Sequence, residues 1–109
     1  MKKIASIDIG SNTVRLLILE STGNKEFKLL VSKRSITRLG EGMDIQGKLA
    51  INRIEATLQV LAEFRQTCLE NGDPPLFAVA TSAIREASNG HEFVRRAKKE
   101  TGIDIKIIP

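Results

Sequence analysis

Hydrophobic and polar positions along this chain divide it into a strand-rich first third and a helix-and-strand remainder. Residues 3–9 are apolar on both parities (Ile4, Ala5, Ile7, Ile9), the pattern of a central strand covered on both faces. Residues 13–20 are more apolar still, with Val14, Leu16, Leu17, Ile18 and Leu19. Thr22-Gly23-Asn24 is a turn, and Glu26 to Ser32 reads as a third strand carrying Phe27, Leu29, Leu30 and Val31. Short turns between the three predict an antiparallel meander. Lys33 to Gly47 has little periodicity and three glycines, Gly40, Gly42 and Gly47, with room for a short strand at 35–38.

From Leu49 to Asn71 the period changes. Ile51, Ile54, Leu58, Leu61 and Cys68 fall on one helical face, with Phe64 and Leu69 beside it. Asn71-Gly72 supplies the stop and Pro74-Pro75 prevents continuation. Leu76 to Ala80 is a short apolar run flanked by helices, which predicts a buried parallel strand. A small-polar segment, Thr81-Ser82-Ala83-Ile84-Arg85, leads from it into helix. Asn89 then reads as an N-cap, with Glu92 three residues on as in a capping box. Helix 90–101 turns Phe93, Val94 and Ala97 inward and stops at Gly102, and Ile103 to Ile108 is a last strand. The predicted order is strand-strand-strand-helix-strand-helix-strand, an α/β domain with a mixed sheet.

Two segments could carry chemistry. The first is the turn between the first two strands, Gly10-Ser11-Asn12, with Asp8 at its mouth and Thr13 at its end. Glycine accepts positive φ, and Ser and Asn can bond their own backbone, so such a turn can aim several N–H groups at one spot and nest an anion. A carboxylate beside a phosphate repels it unless a cation lies between them. Asp8 therefore points to phosphate together with Mg²⁺, which is held by one or two carboxylates and by waters. The local pattern equally allows an ordinary hairpin with Asp8 stabilising the turn. The second segment is Thr81–Arg85. It follows the carboxyl end of a parallel strand, where open α/β sheets bind ligands. Thr81 and Ser82 offer hydroxyls, and Arg85 offers a fork that matches phosphate. If the strand ending at Ala80 lies beside the first strand, both turns open onto one edge of the sheet.

Gly42-Met43-Asp44-Ile45-Gln46-Gly47-Lys48-Leu49 nearly fits a P-loop, but Leu49 stands where a hydroxyl would bind Mg²⁺, and no firm strand leads into Gly42. It is read as a decoy. His91 and the carboxylates Glu86, Glu92 and Glu100 read as helix surface. Arg95-Arg96-Lys98-Lys99 reads as a solvated basic face able to steer a polyanion.

Composition narrows the choice further. The chain has 109 residues, 41% hydrophobic and 28% charged, with formal net charge +4, which suits one small soluble domain and an anionic partner. There is no Trp or Tyr, which argues against a base-stacking surface, so no nucleic-acid partner is expected. One cysteine, Cys68, excludes an intrachain disulfide and a cysteine zinc site and reads as a buried thiol. No apolar run is long enough to span a membrane and no signal peptide is evident, so a cytoplasmic location and no membrane partner are expected.

Asp8-Ile9-Gly10-Ser11-Asn12-Thr13-Val14-Arg15 and Ala80-Thr81-Ser82-Ala83-Ile84-Arg85-Glu86-Ala87-Ser88-Asn89-Gly90, with Leu39-Gly40 and Gly102-Ile103-Asp104 in the expected places, resemble the exopolyphosphatase / guanosine pentaphosphate phosphohydrolase family. The resemblance covers the whole chain and implies the wider superfamily of actin, sugar kinases and heat-shock ATPases, with a ribonuclease-H-like fold. It implies Mg²⁺-dependent hydrolysis of the terminal phosphate of inorganic polyphosphate or the 5′-phosphate of guanosine pentaphosphate. Carried over by residue, it implies that Asp8 helps hold the metal and that Gly10, Ser11, Asn12 and Thr13 form the first phosphate loop. Arg85 would clamp a phosphoryl oxygen, with Thr81, Ser82 and Asn89 shaping the pocket.

The family's general-base glutamate and second phosphate loop have no match here. The resemblance thus implies that residues 1–109 are a truncated amino-terminal domain, lacking the second domain and hydrolysing polyphosphate negligibly alone. It also implies a homodimer for a full-length protein. Two other readings remain: an ATP-using kinase or ATPase of the same superfamily, and a non-catalytic polyanion-binding module.

Overall fold

In a computed structural model the described residues are 2–43 and 47–109. Five strands form one mixed sheet: β1 (Lys3–Ile9), β2 (Thr13–Ser21), β3 (Phe27–Ile36), β4 (Leu76–Ala80) and β5 (Ile105–Ile107). Their spatial order is β3-β2-β1-β4-β5. The first three pair antiparallel, and β4 joins β1 in parallel, as β5 joins β4. Among the described residues three helices accompany the sheet: α1 (Ile51–Glu70), α2 (Ser82–Glu86) and α3 (Gly90–Thr101).

The predicted succession of strands and long helices is the observed one, with two additions. Thr81–Arg85 is not merely an entry into the last helix. It forms its own short helix, α2, which ends at Glu86 before α3 begins at Gly90. β3 is longer than the apolar run suggested and continues through Ile36. Its last residues (Ser32, Lys33, Arg34, Ser35) lack a hydrophobic pattern because β3 is an edge strand. They are held by register with β2, from Leu17 opposite Ser32 to Thr13 opposite Ile36, and Lys33 Nζ donates to Thr67 Oγ1 at 3.2 Å.

One core joins the sheet to the helices. Ala5, Ile7 and Ile9 of β1, Val14, Leu16 and Ile18 of β2, and Ala78 and Ala80 of β4 pack with Leu58, Leu61 and Phe64 of α1 and Phe93 and Ala97 of α3. Strand side chains alternate between faces, so their neighbours stand on the other side. There Ser6, Asp8, Arg15 and Lys106 are exposed and Phe77 is 58% exposed. The expectation that β1 and β4 are buried on both faces is therefore corrected: among the described residues, the helices cover one face only.

On α1, Ile54, Leu58, Leu61, Phe64 and Cys68 are buried as predicted, whereas Ile51 and Leu69 are exposed. Ile51 opens the helix, where the chain has just left the core at Leu49. Thr57 and Thr67 take up the remaining buried positions. Their hydroxyls donate to the carbonyls of Arg53 and Glu63 one turn earlier, so burying them leaves no unpaired donor. The Cys68 thiol is buried, which pushes its pKa up. Gly72 at φ +89° ends the helix, with Asp73 N–H bonding back to Cys68 O. None of the helices among the described residues is long and apolar enough to cross a membrane.

Candidate functional site

The three parallel strands fix the site. Pairing of β1 with β4 sets Asp8 opposite Val79 and Ile9 opposite Ala80, so Gly10 and Thr81 leave the sheet side by side at its carboxyl edge. β5 ends at the same edge, where Ile108 N–H donates to Ala80 O at 2.9 Å. The two turns singled out in the sequence thus share one edge, at the end of the parallel strands where α/β sheets admit ligands.

The first turn is braced from behind. Gly10 N–H donates to Thr13 O at 3.0 Å, closing the hairpin. The carbonyls of Ser11 and Asn12 accept from the segment that follows β3: Gly40 N–H bonds Ser11 O at 2.9 Å, and Thr37 and Arg38 N–H both bond Asn12 O at 3.0 Å. With those carbonyls tied back, the N–H groups of Ser11 and Asn12 make no hydrogen bond among the described residues. Such paired, unoccupied donors are what an anion nest requires.

Gly40 joins the two turns. A Cβ there would lie 3.1 Å from Ser11 Cβ and 3.4 Å from Ala83 Cβ. A side chain there would press on both, and glycine lets the 37–40 segment pass between the first turn and α2 without displacing either. Leu39, fully buried beside it, anchors the segment in the core.

On the β4 side, Thr81 and Ser82 are half-buried and their hydroxyls make no hydrogen bond among the described residues. Arg85 is exposed. Its Nη1 donates to Ile108 O at 3.1 Å, and Glu86 is a distant partner at 3.9 Å. The guanidinium therefore lies over the ends of β4 and β5, with part of its donor fork still available.

Asp8 is exposed on the uncovered face, with Arg15 opposite it on β2 and Arg34 beyond on β3. Among the described residues no group of three His, Cys, Asp or Glu could enclose a metal. A single carboxylate suits a hydrated cation shared with an anionic ligand, not a cage made wholly by protein.

Asn89 serves a different purpose from the one its sequence context suggested. It makes no side-chain cap on α3. Instead Oδ1 accepts from Leu49 N–H at 2.8 Å and Nδ2 donates to Leu49 O at 3.0 Å, while Ser88 N–H donates to Gly47 O at 2.9 Å. Both polar atoms of its amide are therefore occupied, and the residue clamps the 47–49 segment against the turn between α2 and α3. That clamp also disposes of the P-loop-like stretch where it is described. Leu49 is buried in the core with its backbone held at both ends, although Asp44, Ile45 and Gln46 lie outside the described residues.

The basic stretch on α3 is likewise less free than its sequence suggests. Arg96 pairs with Glu55 of α1 and with Glu100 one turn on, each at 2.7 Å, and hydrogen bonds to these carboxylates raise its pKa. His91 is exposed, as are Glu86, Glu92 and Glu100.

Sequence reasoning passed over Arg38. It is exposed, adopts φ +53°, and borders an open groove of about 510 Å³ with Ser11, Asn12, Thr13, Ile36, Gly40 and Glu41. Nothing in the pattern around it marks a left-handed arginine. The nearest available signal was a basic residue one position before Leu39-Gly40.

A five-stranded mixed sheet in the order 3-2-1-4-5 with helices against it is the ribonuclease-H-like and actin-like fold. RuvC of Thermus thermophilus shares this fold at TM-score 0.55 and 14% identity, as does a ParM at TM-score 0.51 and 11% identity. Residues 17–109 match the Ppx/GppA phosphatase family, and the chain belongs to it. The chain is 30% identical over 106 residues to Exopolyphosphatase 1 of Mycobacterium tuberculosis, covering 97% of this chain and 31% of that protein. Among solved structures, the Aquifex aeolicus family member superposes with TM-score 0.95 at 39% identity, over 98% of this chain and 35% of that one. An exopolyphosphatase from Cytophaga hutchinsonii gives TM-score 0.93 at 34% identity, over 98% and 34%. The chain thus spans about a third of the length of the relatives it matches.

Proposed function

We propose that this chain forms the phosphate-binding part of a phosphoanhydride hydrolase, which releases the terminal phosphate of inorganic polyphosphate or the 5′-phosphate of guanosine pentaphosphate. The observation that carries this reading is the parallel pairing of β1 and β4. It brings the Gly10–Thr13 turn and the Thr81–Arg85 segment to one edge, and the chain's family is a phosphatase family.

The N–H groups of Ser11 and Asn12 bind oxygens of the terminal phosphate, with Gly10 and Thr13 closing the turn beneath them. The hydroxyls of Thr81 and Ser82 bind from the opposite side. Arg85 contacts a phosphoryl oxygen and stabilises charge as it develops on the equatorial oxygens. Asn89 acts at a distance, keeping the 47–49 segment and the α2–α3 turn in place. Asp8 fits Mg²⁺ in the water-mediated manner that a lone carboxylate allows, and when bound the ion would neutralise phosphate charge. The general base and the remainder of the cradle are supplied by chain outside these 109 residues. A full-length protein is proposed to act as a homodimer in the cytoplasm.

The test is phosphate release by a protein carrying this chain and the further length found in its relatives, from long polyphosphate and from guanosine pentaphosphate, with and without Mg²⁺. Mg²⁺-dependent release is expected from one or both substrates. Arg85→Ala is expected to lower it by about 10²-fold or more, the effect of removing one preorganised donor to a transition-state oxygen. Release that is absent for both substrates, or unchanged by Arg85→Ala, would contradict the proposal.

A further inference from the structure

Arg85 and Arg38 stand on opposite flanks of the same edge. Arg85 reaches the end of β5 through Ile108 O, whereas Arg38 lies two residues past the end of β3. With the strand order β3-β2-β1-β4-β5 and neighbouring strands about 4.8 Å apart, the Gly10–Thr13 turn lies between the two arginines. Cations on both flanks of the turn suit a ligand with several phosphates in series, whose charge extends beyond the phosphate seated on the turn.

Arg38 has the properties such a contact needs. Its backbone is fixed, with its N–H on Asn12 O and its O accepting from Glu41 N–H at 2.9 Å. Its φ of +53° turns the chain so that the residue borders the groove beside Ser11, Asn12 and Thr13. For a side chain with a Cβ that conformation is disfavoured. Glycine, common in this chain's other turns, would remove the strain. Glu41, the carboxylate on the same groove, is paired with Arg53, and Arg38 has no ion pair among the described residues.

We propose that Arg38 is a second cationic contact of the site, holding a phosphate other than the terminal one and so favouring oligophosphates over orthophosphate. This rests on the reading of the Gly10–Thr13 turn given above. It makes Arg38 a specificity residue that binds the length of the substrate.

The test is calorimetric binding of orthophosphate and of tripolyphosphate to the 109-residue chain in Mg²⁺, for wild type, Arg38→Gly, Arg38→Lys and Arg85→Ala. Arg38→Gly is expected to weaken tripolyphosphate about tenfold, as loss of one charge-assisted hydrogen bond would, and to leave orthophosphate unchanged. It is also expected to melt no lower than wild type, because glycine accepts the left-handed conformation. Arg38→Lys restores most of the tripolyphosphate affinity, and Arg85→Ala weakens both anions. Equal tripolyphosphate binding by wild type and Arg38→Gly would overturn the role of Arg38 while leaving the turn's role intact. So would a parallel loss of both anions in Arg38→Gly. If neither anion binds wild type, the phosphate turn itself is refuted, and the role of Arg38 falls with it.

Discussion

Gly90 is held by a closer approach than any other glycine in the chain. A Cβ at this position would sit 2.0 Å from Ile84 O and 3.0 Å from its carbonyl carbon. The obstacle is backbone, so no rotamer change relieves it. Gly90→Ala is expected to destabilise the fold by about 1–3 kcal/mol, read as a lower midpoint in urea. Because α2 carries Ile84 and Arg85, the same variant is expected to shift the amide resonances of both. A midpoint equal to wild type would contradict this packing. The same scale explains why some residues were legible in advance and others were not. Asp8, Gly10 and Ser11 stand out because turn chemistry is written in residue type. Arg38 does not, since its left-handed backbone is imposed by the bonds from 37 and 38 to Asn12 O and by burial of Leu39, which are tertiary facts. Asn89 misled for a related reason. Its spacing to Glu92 fits a cap, but a partner forty residues away, Leu49, offers its amide two good hydrogen bonds.

Among the elements, the three-strand meander, α1 and α3 were each predictable from period alone. β3 runs past its apolar stretch because an edge strand needs no hydrophobic pattern where its partner supplies the register, and the five residues of α2 carry too little periodicity to mark a helix. The uncovered sheet face is hidden in the sequence for a different reason. Ile4, Leu17, Leu19 and Phe77 are apolar whether or not anything covers them, so composition could not tell a doubly covered strand from a singly covered one. The link between elements that matters most for the site is the clamp from the α2–α3 turn to the 47–49 segment. Asn89→Ala leaves the Leu49 N–H and C=O without partners, and an unsatisfied buried pair is expected to cost about 2 kcal/mol. Asn89→Asp keeps one acceptor for Leu49 N–H and is expected to fall between alanine and wild type in thermal denaturation. Alanine and wild-type chains of equal stability would show that the clamp carries no load.

For the molecule as a whole, two turns far apart in sequence are brought to one edge by strand pairing, and this chain covers about a third of the length of relatives in a phosphatase family. The proposed division of labour follows: this chain binds and orients phosphate, and the general base comes from elsewhere. A net charge of +4 alone would draw polyanions to any basic face, α3 included. Binding by itself therefore does not locate the site. The most direct measurement is a residue-resolved amide NMR titration of the 109-residue chain with tripolyphosphate in Mg²⁺ at moderate salt. If the two turns form one phosphate site, the amides of Ser11, Asn12, Ser82 and Ala83 move together on one saturation curve, and that curve weakens in Asp8→Asn and Arg85→Ala. Shifts confined to Arg95, Lys98 and Lys99 on α3, or movement of the two turns with unrelated affinities, would contradict it.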